Sequence, residues 1–413
     1  MVSRLSATLD GDTVKAQVEL IDNVYVTFSA RRIQSKPSGF HASISIDQGS
    51  NNLAWGLINF ERPSDRVTMH NSAFAMLPEQ LKPEYSKLQL KADFDQFCKQ
   101  LWDTHNTQFV ASFVAGDPDS VTEWFCPPLI MQDGSTILFG QRGGGKSITA
   151  MTAAISTQHG MTPLWDPIEM ANVLYINIER GQKSMERRIA RVNLALGLSA
   201  YEPLLMLNAR GKSLDFIFEA ARRSIKTHEV QAVFFDSISR SGAGDLNDNQ
   251  PANAVMDMLS EITPTWLAIA HMTEQEGGKA KVFGSQMYEN AADLVVRLTG
   301  DHQGDNLGVG LEITKANDTA LGQNQYIKYE FNGTGLVGIK PSNVVEFPKL
   351  AAKASLWEGI CSVLRNKPSS VEDMADELNT TSKNITAELR ASSAFVRIGN
   401  LWSLQGRAAE PPS

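Results

Sequence analysis

The chain has 413 residues, of which 42% are hydrophobic and 20% charged, a globular composition that excludes wholesale disorder, collagen and coiled coil. At about 150 residues per domain the length corresponds to two or three domains. With 38 basic and 46 acidic residues the formal net charge is −8, so bulk charge does not make this a nucleic-acid binder, and any DNA binding must come from local patches or from subunits arranged around a strand.

Cys98, Cys126 and Cys361 lie far apart, with no CxxC and no paired spacing, which argues against a disulfide framework or a structural zinc cluster and fits a reducing cytosol. No run reaches the roughly 18 apolar residues of a membrane span. The opening MVSRLSATLDGDT lacks the apolar core of a signal peptide, so a cytoplasmic location is expected.

Residues 1–118 read as a small α+β domain without a nameable chemical motif. Val18 to Ile21, Val24 to Ser29, His41 to Ile46 and Leu53 to Ile58 are β-branched and aromatic runs. Turn formers at Asp10-Gly11-Asp12, Pro37-Ser38-Gly39 and Gly49 to Asn52 separate them. Phe94, Phe97, Cys98, Leu101 and Trp102 share the face of one helix. Gly116-Asp117-Pro118 and Pro127-Pro128 bracket a boundary.

From about 129 to 340, strands and helices alternate, which implies a parallel α/β sheet. The strand runs are Ser135 to Phe139, Asn172 to Ile178, Leu204 to Leu207, Gln231 to Asp236 and Trp266 to Ala270. Helices are expected between them, for example Lys183 to Leu196 and Ser213 to Ile225. Past Leu294 the chain reads as β again, ending near Ile339, and Pro341 to Lys353 reads as a linker. Ala354 to Gln405 reads as three helices and a hairpin, with Ser370 and Asp373 as an N-cap signature. Residues 406–413 read as a disordered tail.

The chemistry begins at Gly140-Gln141-Arg142-Gly143-Gly144-Gly145-Lys146-Ser147, a GxxxxGK[ST] loop that follows an apolar strand and opens a helix at Ile148. The glycines let backbone N–H groups converge on phosphates, and the helix N-terminus adds partial positive charge. Lys146 then reaches the β and γ phosphates of ATP and the Ser147 hydroxyl ligates Mg²⁺. Asp236 ends the apolar strand from Ala232 and is the second magnesium group. Ser237 follows it, so no Glu stands directly after that Asp. Glu179, at the end of the strand after the phosphate-loop helix, is the candidate base, and His271, closing the strand from Leu267, is a candidate γ-phosphate sensor.

In that order these motifs resemble the RecA-like ATPase core of RepA and DnaB hexameric helicases and of KaiC-type ATPases, with the RepA-like subgroup nearest. They run from the phosphate loop through Leu174 to Glu179 with Arg188 behind it, then Phe234 to Ser237, the Gly242 to Asn249 loop, Ala268 to His271, Gly284-Ser285 and Ala291 to Leu298. The resemblance covers about half the chain. It implies an ATPase working as a homo-hexameric ring on single-stranded DNA, in plasmid or phage replication. It also implies a basic finger reaching a neighbour's γ phosphate. Lys315 matches that position, but Asn317 stands where an Arg is expected. The loops facing DNA would present Arg240, Lys279 and Lys281.

The last unit resembles a winged helix, with Lys383 and Arg390 on the recognition helix and Arg397 on the wing. Its five basic and six acidic residues leave DNA contact and protein contact both open. Three functions fit the sequence: a DNA motor, a nucleotide switch that does not translocate, and a filament-forming recombination or loading ATPase. Role and partner of residues 1–118 stay open.

Overall fold

The computed structural model describes residues 5–21, 23–160, 164, 169–240, 249–273, 281–284, 286–321, 324–342 and 344–405. They form two compact units, 1–118 and 119–413.

The first unit is a β-meander backed by two helices. Strands β1 (Thr8–Asp10), β2 (Thr13–Ile21), β3 (Val24–Lys36), β4 (Gly39–Gln48) and β5 (Asn51–Asn59) pair antiparallel in sequence order. Each expected turn former sits at a hairpin, and Gly39 takes a φ of +113° that favours glycine. Helices α1 (Pro63–Met76) and α2 (Lys87–Asn106) cover one face. There Phe28 of β3 stacks between Phe94 and Phe97 of α2, at centroid distances of 5.9 and 5.6 Å. Ser86 and Gln89 form the capping box that starts α2. Helix α1 escaped the sequence reading because its buried stripe is only Met69, His70 and Ala73.

The second unit opens with a short hairpin, β6 (Trp124–Cys126) and β7 (Ile130–Met131). The core follows: β8 (Ser135–Gly140), α3 (Lys146–His159), β9 (Val173–Asn177), α4 (Gln182–Ala195), β10 (Met206–Asn208), α5 (Leu214–His228), β11 (Ala232–Asp236), α6 (Asn249–Ile262) and β12 (Trp266–Thr273). After it come β13 (Lys281–Val282), α7 (Met287–Ala291), β14 (Leu294–Gln303), β15 (Asn306–Ala316), β16 (Gln325–Asn332) and β17 (Gly335–Pro341). The sheet order is β10-β9-β11-β12-β8-β14-β15-β16-β17, parallel from β10 to β14 and antiparallel beyond. The central parallel strands β8, β9, β11 and β12 are buried along most of their length and mainly apolar, because both faces of the sheet are covered. Leu138, Tyr175 and Phe234 pack toward α3 and α4, while Ile137, Ile176 and Phe235 pack toward α5 and α6.

Two boundaries differ from the sequence reading. The β6–β7 hairpin belongs to this core, since Phe125, Cys126, Leu129 and Ile130 are buried in it. The segment read as a linker after Pro341 is ordered: α8 (Pro348–Ala351) and the turn at Val344–Glu346 bury Val344, Phe347 and Leu350. Phe347 lies flat on Gly308 of β15, where a Cβ would come within 2.3 Å of its ring. Isolated apolar residues among polar ones gave no period to read.

The chain ends in α9 (Leu356–Asn366), α10 (Val371–Glu377), α11 (Ser382–Ala391) and the hairpin β18 (Phe395–Ile398) and β19 (Leu401–Leu404). Ser370 caps α10 through the Asp373 amide, at 3.1 Å. Ile360, Leu364, Met374, Ile385, Leu389 and Phe395 make a small separate core. The tail 406–413 lies outside the described residues.

Candidate active site

The loop between β8 and α3 is shaped by close contact. A Cβ on Gly140 would lie 2.3 Å from the Leu298 carbonyl of β14, so only glycine fits there. Gly145 caps α3 with a φ of +103°. The first-turn amides of α3 therefore open toward solvent with Lys146 behind them. Arg142, Gly143, Gly145, Lys146, Ser147 and Ile148 line a cavity of about 1060 Å³. Gln141 and Gly144 complete the loop, with the Gly144 amide donating to the Gln141 carbonyl at 3.2 Å.

Lys146 is 6% exposed, and its ammonium donates to the Gly140 and Gln141 carbonyls, both at 2.7 Å. Burial pulls its pKa down to about 8, against the opposing pull of Asp236 and Glu179.

Asp236 ends β11 two strands away, because β12 lies between β11 and β8. It is 1% exposed. Burial, then the neighbouring Glu179, raises its pKa, while hydrogen bonds from Ser147 and Tyr175 oppose the rise. Tyr175 Oη donates to its Oδ2 at 3.0 Å. Ser147 and Asp236 thus face each other as two hard oxygen donors. Among the described residues no group of three His, Cys, Asp or Glu forms a metal cage. A two-oxygen set suits magnesium, which keeps waters and takes its other ligands from phosphates.

Glu179 lies one turn beyond β9 and is held from both sides. Its carboxylate accepts from Ser237 Oγ, which in turn lies 2.9 Å from Ser239 Oγ. Its amide donates to Asn177 Oδ1 at 3.3 Å, and the Arg180 amide donates to the same atom at 3.0 Å. Asn177 Nδ2 donates to the Arg180 carbonyl at 2.7 Å. The Glu179 backbone is thereby fixed as an Asx turn.

Arg188, on α4, reaches over the same ground. Its Nη1 is buried and has no hydrogen-bond partner among the described residues. Burial and Arg180 lower its pKa, while Tyr175, Asp236 and Glu179 oppose them. Arg180, Arg187 and Arg191 line the same cavity. Its far end is apolar, with Leu307, Phe331 and Leu336 from β15 to β17.

The structure brings Lys146, Ser147, Glu179, Asp236 and His271 to one cavity. His271 pairs in register with Gly140, and its carbonyl accepts from the Phe283 amide at 2.7 Å, just past β13. Lys315 is elsewhere. Its ammonium donates to the carbonyls of Glu289, Asn290 and Ala292, at 3.0, 3.1 and 2.6 Å. Asn317 is tied to Asp293 by its side chain at 3.1 Å and its amide at 3.0 Å.

Of the expected DNA contacts, Lys281 is exposed on β13, Lys279 lies outside the described residues, and so does the side chain of Arg240. Lys383 and Arg390 are exposed on α11. Arg397 is exposed on β18 and donates to the Gly399 carbonyl at 3.0 Å.

Sequence reasoning did not find Asn177, Tyr175 and His302. Asn177 and Tyr175 sit inside an apolar strand, where a polar residue is itself a signal. His302 lies near the end of β14, 3.2 Å from the Gly143 carbonyl, and carries no motif.

A family model described as AAA domain matches residues 103–275. No curated protein matches the chain. Among solved structures, the crystal structure of flagellar accessory protein FlaH from Methanocaldococcus jannaschii is similar at 15% identity and a TM-score of 0.36, covering 51% of this chain and 90% of that one. No helix among the described residues is long and apolar enough to cross a membrane. The AAA-domain match over residues 103–275 and the phosphate loop at Gly140 to Ser147 support a P-loop ATPase.

Proposed function

We propose that the chain is a RepA-like, ATP-hydrolysing motor that acts on DNA as a homo-oligomeric ring of six. The observation that carries the hydrolytic part is the convergence of Lys146, Ser147, Asp236 and Glu179 on one cavity, with Glu179 held by Ser237 and Asn177. The loop amides and Lys146 hold the triphosphate. Glu179 orients a water in line with the γ phosphate and takes its proton. Arg188, with a buried unsatisfied N–H, supplies a donor for charge that builds on the γ oxygens. Ser147 and Asp236 would hold a magnesium ion, which would supply charge neutralisation for the phosphates. His271, whose carbonyl accepts from the Phe283 amide, is the sensor of the γ phosphate in this reading.

DNA contact in this reading falls to Arg240, Lys279 and Lys281 in the ring, and to Lys383, Arg390 and Arg397 on a C-terminal winged helix. Three helices followed by a hairpin support that assignment. The test is ATP turnover with and without single-stranded DNA, with Lys146→Ala and Glu179→Gln as controls. A several-fold rise lost in both variants supports the motor. Turnover indifferent to DNA rejects it.

A second reading, a nucleotide switch that does not translocate, draws on one specific observation. Lys315 and Asn317, the positions matching the trans-acting finger, are both engaged by groups of their own chain. A mass that does not change with nucleotide or DNA favours the switch.

A further inference from the structure

We propose that His302 is a positioning residue for the phosphate loop: its ring holds the Gly143 carbonyl out of the space that a triphosphate takes. The inference rests on the reading of Gly140 to Ser147 as a triphosphate site. Such a loop binds anions with its backbone N–H groups. A carbonyl turned toward the phosphates would oppose them, and a carbonyl turned away needs a donor where it points. The Gly140 and Gln141 carbonyls find one inside the loop, since both accept from the Lys146 ammonium at 2.7 Å. The Gly143 carbonyl finds one outside it, in His302 Nε2 at 3.2 Å. A carbonyl only accepts, so Nε2 carries the hydrogen.

Gly143 is where the loop needs this control. Its φ is +75°, a region that glycine enters and leaves freely. A Cβ on it would meet nothing within 4 Å, so no packing holds its peptide. The next amide, that of Gly144, donates to the Gln141 carbonyl at 3.2 Å. In a trans peptide the C=O and N–H point opposite ways. His302 and Gln141 therefore grip the Gly143–Gly144 peptide from its two sides. With His302 removed one grip is lost, and rotation of that peptide turns a carbonyl toward the anion.

The fold presents His302 on a braced strand end. β14 lies directly against the loop, since a Cβ on Gly300 would come within 2.5 Å of the Gly144 carbonyl oxygen. His302 pairs in register with Leu307 of β15. Leu307 packs against Gly145, whose Cβ would lie 3.0 Å from its Cδ2. Directly opposed residues share a sheet face, so His302 and Leu307 both turn to the loop. Asp301, between Gly300 and His302, is 1% exposed. Its carboxylate accepts from the Lys349 amide of α8 at 2.9 Å and from Gln303 Nε2 at 3.1 Å. The strand is thereby pinned one residue before His302.

The test uses the full chain. Affinity for a non-hydrolysable ATP analogue with magnesium is measured by titration calorimetry, beside kcat and KM for ATP. Wild type is compared with His302→Leu and His302→Gln. Leu fills similar space without a donor, whereas Gln returns an N–H at a similar reach. His302→Leu should weaken analogue binding and raise KM about three- to tenfold, the effect of one hydrogen bond. Its kcat should stay within about twofold, with an unchanged melting curve. His302→Gln should recover most of the loss. A weakening under about threefold in His302→Leu overturns the proposal. So does a Gln variant that binds no tighter than the Leu variant, because packing alone then explains the effect. A fall in kcat at constant KM also overturns it and puts His302 in the chemical step. If wild type itself binds no analogue, the triphosphate reading of the loop fails. If wild type binds and both variants match it, that reading stands and the role of His302 falls.

Discussion

Tyr175 on β9 donates a hydrogen bond to Asp236 on β11 at 3.0 Å, inside a sheet that admits almost no water to either group. Burial and the nearby carboxylate push the Tyr175 pKa well above its ordinary value, so the phenol keeps its proton and stays a donor. A neutral donor therefore supports a carboxylate that burial would rather neutralise. Before nucleotide and metal arrive, the site holds Asp236 beside Glu179 at a cost to the fold.

Asp236→Asn should remove that cost while abolishing turnover. The folded Asp236 binds its proton more tightly than the unfolded one. Between its ordinary value and the raised one, the folded chain holds more protons, and stability falls as pH rises. Above that window the full penalty applies. An amide still accepts from Tyr175 and Ser147 and carries no charge. The nucleotide-free variant should therefore melt at a higher temperature than wild type at neutral pH. Calorimetry of the nucleotide-free variant at neutral pH checks it, and an unchanged or lower Tm refutes it.

Lys146 should couple ATP binding to proton uptake. Its pKa is near 8 when the site is empty of phosphate, because burial disfavours the ammonium. Phosphates favour the charged form and raise that value. Above about pH 8, ATP binding must then bring a proton with it, and affinity should fall by up to about tenfold per pH unit. Titration calorimetry in buffers of different ionisation enthalpy, at pH 7 and 9, counts the protons. Equal uptake at both pH values counts against this assignment.

The parts of the site carried by local pattern were legible in the sequence. Gly140 to Ser147 is a contiguous motif, and Glu179 and Asp236 each end an apolar run that stands out once the phosphate loop is recognised before them. Asn177 and Tyr175 act across strands, through partners about thirty to sixty residues away or through an Asx turn, and no local period reports that. Phe347 was missed for the same reason: its partner is a glycine on another strand. Lys315 shows the converse, since its likeness to a finger position said nothing of the three carbonyls that its own chain places around it.

Asn177→Ala should lower kcat about 10- to 100-fold with KM within about threefold, because it frees the turn that aims Glu179 without touching the phosphates. It also removes a buried hub, so Tm should fall, by an amount matching about 2–3 kcal/mol. Asn177→Asp keeps the acceptor for the Glu179 and Arg180 amides and should recover part of kcat. A variant whose KM rises while kcat holds would place Asn177 in nucleotide binding instead.

Lys315 separates a trans-acting finger from an own-chain tie. Its three carbonyl acceptors cap the end of α7, which leads into β14 beside the phosphate loop. Lys315→Met should therefore destabilise the protein by about 1–3 kcal/mol, since charge-assisted bonds are lost and carbonyls are left open. Activity loss alone does not distinguish the two roles. Mixing does: in a ring of Lys315→Met and Glu179→Gln chains, a Lys315→Met subunit keeps its own Glu179, and its Glu179→Gln neighbour still carries Lys315. A finger acting in trans would restore turnover at that junction, giving a mixture more active than either variant alone. A tie within the chain gives turnover no higher than the weighted average, which is the outcome expected from the hydrogen bonds that Lys315 makes.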